Sequence, residues 1–182
     1  MAAILGLEDD IVVKVCNEIT AGDNHIVSAV NFNSPGQVVI AGHAAAVDTA
    51  STVLKTAGAK RTQLLPVSAP FHTSLMKAAG EQLSQAIAGV SISPPAIPVV
   101  HNVHAQTESD PEKIRSLLVE QIYSPVQWTS CMRTIVKAGT RHLVECGPGK
   151  VLTGLARRID KSLQCYSLEL PEELVAAATK LR

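Results

Sequence analysis

The stretch "HIVSAVNFNSPGQVVIAG", residues 25–42, constrains the fold more than any other. Two apolar, β-branched runs flank Asn33-Ser34-Pro35-Gly36, where proline presets one backbone angle and glycine permits the reversal. This pattern predicts an antiparallel hairpin. Before it, "AAILGL" reads as a strand and "IVVKVCNEI" as a helix, with Glu8, Asp9 and Asp10 near the positive end of the helix dipole. After it, "HAAAVDTASTVLKTAG" has helical spacing stopped by Gly58, and "KRTQLLPV" is again a strand. Residues 1–67 therefore spell β-α-β-β-α-β, the ferredoxin-like order, and are expected to form a small α+β subdomain.

From His72 onward the alternation changes. A helix is predicted over 73–88, then a proline-bounded loop, a strand at "IPVVHNV", and a helix over 111–123. "PVQWTSCMRTIVKAG" follows, then a strand at "RHLVECG", a helix opened by Gly147-Pro148-Gly149 and a short terminal helix. Residues 68–182 thus read as part of an α/β sheet, and the chain as α/β overall. Two or three strands are few for a sheet, and an edge is left bare unless another segment covers it. Apolar surface around "IPVVHN" and "RHLVEC" is accordingly expected to be exposed and to drive self-association.

A chain of 182 residues, 46% hydrophobic and 18% charged, is long and apolar enough to bury a core. Sixteen basic and sixteen acidic residues cancel, so the balance points to neither nucleic acid nor a membrane surface. Cys16, Cys131, Cys146 and Cys165 lack CxxC spacing, and no cleavable apolar leader or membrane-length apolar run is present. These features predict free thiols in a cytoplasmic protein.

His72, in "LPVSAPFHTSLM" at a strand-to-helix join, is on its residues alone either a structural loop histidine or a general base. A base needs a nucleophile within reach, and the usual exposed serine of G-x-S-x-G occurs nowhere in these 182 residues. Ser74 and Lys77 form S-x-x-K, but without its partner motifs that spacing fits a solvated helix face. Cys146, at a strand end before a helix N-terminus, is either a thiolate that could pair with His72 or a buried inert cysteine. His101 and His104 in "HNVH" have no third ligand, and on a strand they would point to opposite faces, so no metal site is expected. "CGPGK" fails the phosphate-loop register, leaving Gly149 the simpler role of close strand–helix packing.

"VNFNSPGQVVIAGH", "AGAKR", "LPVSAPFHTSLM", "YSPVQWT" and "ECGPGKVLTGL", in this order and spacing, resemble the malonyl-CoA:acyl carrier protein transacylases of fatty-acid synthesis over nearly the whole chain. The resemblance implies a C-terminal part of an α/β-hydrolase-like acyltransferase core beside the ferredoxin-like subdomain. It implies ping-pong malonyl transfer from malonyl-CoA to the phosphopantetheine thiol of an acyl carrier protein, with no cofactor. His72 maps onto the general base, and Gln121 onto the residue whose main-chain carbonyl fixes the imidazole. Phe71 corresponds to the bulky residue that accompanies malonyl choice, a phenyl ring leaving little room for a methyl branch. Asn31 and Gln37 border the acyl pocket, and Lys60 and Arg61 flank the groove where an acidic carrier protein docks. For Phe71 the alternative is ordinary packing, for the amides turn stabilisation, and for the basic pair a solvated strand end.

The family's G-Q-G-S-Q oxyanion segment, its G-H-S-L-G serine and its carboxylate-binding arginine have no match here, so the chain alone is expected to be inactive. Two other readings stay open: a non-enzymatic module that binds carrier protein or acyl thioester, and one half of a split enzyme.

Overall fold

The computed structural model describes residues 1–181. The chain forms two compact units, Met1–Cys131 and a second from Met132 onward.

The first unit opens with the expected β-α-β-β-α-β order: β1 (Ala2–Leu5), α1 (Asp9–Ile19), β2 (Val27–Ser34), β3 (Gln37–Gly42), α2 (Ala44–Thr56) and β4 (Arg61–Leu64). The strands form one antiparallel sheet in the order β2-β3-β1-β4, so β2 and β4 are its edges. Alternation along the strands sends Ala2, Ile4, Val27, Ala29, Val38 and Ile40 to the face covered by both helices. There they meet Val12, Val15 and Cys16 of α1, and Ala46, Val47, Ala50 and Leu54 of α2, apolar residues spaced to share one helical stripe. Cys16 is so enclosed that burial pushes its thiol up to about 12, which makes it an inert core side chain. Val30, Val39 and Ala41 cluster on the opposite face with Met1, Ala3 and Leu65.

The pairing of β2 with β3 shifts between Ala29 and Asn31, leaving Val30 as an extra residue. This bulge interrupts the period of two. Asn31 stands opposite Val39 and so shares a face with Val30, while Phe32 opposite Val38 returns to the helix-covered side.

The 73–88 helix begins later than its pattern implied, as a single 3-10 turn over Ser74–Met76 followed by α3 (Lys77–Ile87). The predicted strand at "IPVVHNV" does not form. Val100 makes one isolated bridge to Thr107, and residues 101–106 are a turn closed by His101 N–H to the Gln106 carbonyl at 2.9 Å. With no strand alongside to complete a ladder, the β-branched run stays irregular, and Ile97 is 77% and Val99 49% exposed, as expected for "IPVVHN". Next come α4 (Pro111–Glu120), capped by the Asp110 carboxylate accepting from Glu112 N–H, and α5 (Trp128–Lys137). The boundary read from the sequence, between residues 67 and 68, lies inside the first unit. Hydrogen bonds from Val126 and Thr129 to β2 tie the later segment to the small sheet.

In the second unit β5 (His142–Glu145) pairs in parallel with β6 (Gln164–Ser167), a strand the sequence reading missed, through the crossover helix α6 (Val151–Ile159). The pairing leaves Leu143 and Val144 half-buried and Glu145 buried, so "RHLVEC" is less bare than its sequence predicted. The terminal helix α7 (Pro171–Lys180) is fastened by Glu173. Its carboxylate accepts from the Lys150 ammonium at 2.7 Å, from the backbone N–H groups of Glu169 and Leu170, and from the Ser167 hydroxyl. Among the described residues no helix is long and apolar enough to cross a membrane.

Two expectations follow from this packing. A methyl group at Gly42 would collide with the Ile26 carbonyl and sit 2.8 Å from Val27 Cα, so Gly42→Ala should cost about 3 kcal/mol. The resulting fall in Tm, roughly 9 °C, is measurable by calorimetry. The Lys150 ammonium, helped by the backbone donors, holds the Glu173 carboxyl down at about 2. Because the folded value is the lower one, its contribution is complete above the ordinary carboxylate range and is lost as pH falls through about 2. Protection factors of the α7 amides, which are corrected for the intrinsic pH dependence of exchange, should fall over that window in the parent chain and already be low at neutral pH in Glu173→Gln.

Candidate active site

His72 occupies the turn after β4 with φ of 64°, a left-handed backbone that histidine adopts more readily than most side chains. Two successive carbonyls hold it there. Its backbone N–H donates to the Ile122 carbonyl at 3.2 Å, and its ring Nδ1 lies 2.8 Å from the Gln121 carbonyl oxygen. A carbonyl oxygen can only accept, so Nδ1 carries the hydrogen, and in the neutral ring Nε2 keeps its lone pair.

Gln121 is the C-cap of α4, so the oxygen it offers is one of those a helix leaves without an internal partner. Such carbonyls form the negative end of the helix dipole. The geometry therefore orients the ring by Nδ1 and leaves Nε2 as its remaining nitrogen acceptor.

The same short segment reaches the small sheet. Val126 N–H donates to the Val30 carbonyl at 2.8 Å, Phe32 N–H donates to the Val126 carbonyl at 3.0 Å, and the Thr129 hydroxyl donates to the Phe32 carbonyl at 2.9 Å. Residues 121–126 thus tether the His72 turn to the bulged stretch of β2 that carries Asn31, across at most about 18 Å of extended chain. The Asn31 Oδ1 is buried and has no hydrogen-bond partner among the described residues.

The other predicted residues lie less close together. Phe71, next to His72, is 41% exposed. Gln37 opens β3 opposite Ser34 and Leu5 at the hairpin turn. Lys60 and Arg61 are exposed at the start of β4, the end of that strand away from the His72 turn. A groove of about 1030 Å³ between α2 and β4, lined by Asp48, Thr52, Lys55, Gln63 and Leu64 among others, contains none of the candidate residues.

Ser74 and Lys77 are exposed, in keeping with a solvated face. Cys146 is an exposed free thiol rather than a buried one, because it follows the last residue of β5 into the loop before α6. The His101 and His104 rings are not on opposite faces of a strand. The turn brings their centroids to 5.9 Å, edge to face. Burial and then the His104 ring lower the His101 pKa, with Glu108 opposing them. Among the described residues no group of three or more His, Cys, Asp or Glu side chains could hold a metal ion.

Glu145 explains the "CGPGK" loop. Its buried carboxylate accepts from Leu152 N–H at 3.1 Å and Thr153 N–H at 2.7 Å, filling the N-terminus of α6 with the chain's own anion. The sequence reading did not single out this residue. Its signal was an acidic side chain at a strand end just ahead of a glycine-opened helix. Burial raises its pKa, but the donors from Thr153 and Leu152 outweigh that and leave it below the ordinary carboxylate value. Glu145→Gln should cost about 2 kcal/mol at neutral pH, because the amide keeps one acceptor oxygen and turns its NH2 donor on the other backbone N–H. Urea melts at pH 7 and in acid would check this. The folded pKa is the depressed one, so the gap from the parent should close as pH falls through it.

No family model matches the chain. It is 50% identical over 180 residues to the malonyl CoA-acyl carrier protein transacylase of Salmonella typhimurium, a match covering 99% of this chain and 58% of that protein. Among solved structures, the malonyl-CoA:acyl carrier protein transacylase of Xanthomonas oryzae pv. oryzae superposes with a TM-score of 0.94 at 49% identity, over 98% of this chain and 56% of that one. A malonyl-transacylase in complex with its type II polyketide synthase acyl-carrier protein gives a TM-score of 0.94 at 42% identity, over 98% and 57%. The chain spans a little over half the length of the relatives it matches.

Proposed function

This chain belongs to the malonyl CoA-acyl carrier protein transacylase family as the counterpart of the C-terminal portion of its members, and we propose that it carries the acid–base half of a malonyl transfer from coenzyme A to an acyl carrier protein. The observation that carries this reading is the 2.8 Å contact between His72 Nδ1 and the Gln121 carbonyl. With Nδ1 committed, Nε2 takes a proton from the attacking hydroxyl and returns it to the departing coenzyme A thiolate, then takes one from the attacking carrier thiol and returns it to the departing alkoxide, so one imidazole serves both half-reactions. In each, the bond to sulfur or oxygen forms at the malonyl carbonyl as the old thioester or ester bond breaks, and no cofactor is needed.

The remaining residues take supporting roles in this proposal. Phe71 narrows the space beside the base and disfavours a branched acyl group. The unsatisfied Asn31 Oδ1 offers an acceptor to a substrate N–H or O–H, and a buried acceptor left unpaired is costly enough to make such a contact favourable. Gln37 flanks it at the hairpin. Lys60 and Arg61, both exposed, steer an acidic carrier protein in the cytoplasm.

These 182 residues contain a base but no G-x-S-x-G nucleophile, so the chain on its own should not turn over. Intact-mass spectrometry after incubation with malonyl-CoA tests this directly: no covalent adduct is expected. Mixed with the N-terminal portion of the Salmonella relative, the parent chain should support malonyl-carrier formation, and His72→Ala should lower that rate by about 10²–10⁴-fold. Equal rates for parent and variant would end the general-base reading. A malonyl adduct on the chain alone would instead place a nucleophile within these residues, and peptide mapping would look first at Cys146 and Ser74.

A further inference from the structure

We propose that Thr73 is a positioning residue, whose hydroxyl closes the turn that holds the His72 ring in its Nδ1–H form with Nε2 free. The inference rests on the reading of His72 as a base for its functional meaning, although the geometry stands by itself.

Thr73 directly precedes the Ser74–Met76 turn, as its N-cap, with extended backbone angles of φ −111° and ψ 165°. A threonine there ordinarily turns its oxygen forward to a free N–H of the helical turn. Here no side-chain cap forms. The hydroxyl points backwards and donates to the Pro70 carbonyl at 2.7 Å, a local side-chain-to-backbone bond three residues back along the chain. Thr73 is 1% exposed, so this bond is made away from water, and its loss would leave a polar group buried without a partner.

The residues enclosed by the bond are Phe71 and His72. A left-handed backbone at a non-glycine residue is disfavoured and persists only where its surroundings over-determine it. The bonds to Ile122 and Gln121 reach His72 from another part of the chain, and they are reachable only when the turn already presents the N–H and the ring together. Pro70 fixes the entry angle, Phe71 is 41% exposed, and the Thr73 hydroxyl supplies the closure from within the turn.

The test is nitrogen-15 NMR of the His72 imidazole in the full 182-residue chain, at a pH where the ring is neutral. The parent should show the Nδ1–H tautomer in excess, Thr73→Ser should retain it, and Thr73→Val should lower the tautomer ratio about tenfold while staying folded. Should the valine variant not fold, Thr73→Ala, which adds no atom to the buried site, makes the same comparison. An unchanged tautomer ratio in a folded valine or alanine variant overturns the proposal. Failure of serine to rescue overturns it too, because shape rather than the hydroxyl would then be responsible. The readout does not use turnover, so an inactive His72 and a correctly positioned one are told apart.

Discussion

The hydrogen bond between the His72 ring and the Gln121 carbonyl sets the protonation pattern of the imidazole and at the same time fixes where the chain runs on either side of it. A helix end always leaves carbonyls unpartnered, and here that ordinary deficit is met by a residue that needs an acceptor on one nitrogen. Shortening or refraying the last turn of α4 would move both carbonyls together. Because residues 121–126 continue to β2, the same change would also disturb the edge strand carrying Asn31. Site and sheet are coupled through one short length of main chain.

Much of the small sheet was legible in the sequence because its determinants are local. Proline and glycine after Asn33 dictate the hairpin, and the alternation of Ala2, Ile4, Val38 and Ile40 dictates which face is buried. The Val30 bulge was not legible, since it arises from the competing registers of two paired strands and no single residue announces it. The strand predicted at "IPVVHNV" failed for a related reason: β-branched composition favours an extended chain but cannot supply the neighbour that a ladder requires. β6 escaped notice because "QCYS" is short and mixed, and its parallel pairing to β5 depends on a crossover helix rather than on a turn.

The site shows the same division. His72 stands out as a histidine at a strand-to-helix join, but that position fits a structural loop histidine equally, and its role as base came from family resemblance. Gln121 came from family resemblance, since no property of a glutamine side chain predicts the use of its backbone oxygen. Thr73 and Glu145 were overlooked although each follows a known local pattern, a hydroxyl bonding three residues back and a carboxylate at a helix N-terminus. Both act by satisfying backbone groups, which sequence inspection weighs less than titratable side chains. The anion that a phosphate loop would take from solvent is supplied here by the protein itself.

The partner of the His72 ring is an oxygen that every amino acid carries, which affects how visible this position is to genetics. Replacing Gln121 exchanges a side chain and leaves the acceptor in place, so a mutational scan would record a permissive site at the atom on which the imidazole depends. Only substitutions that unwind the helix end, proline above all, would expose its role, and they would look like folding defects. A heritable function can in this way be written in backbone geometry, where tolerance to substitution conceals rather than measures importance.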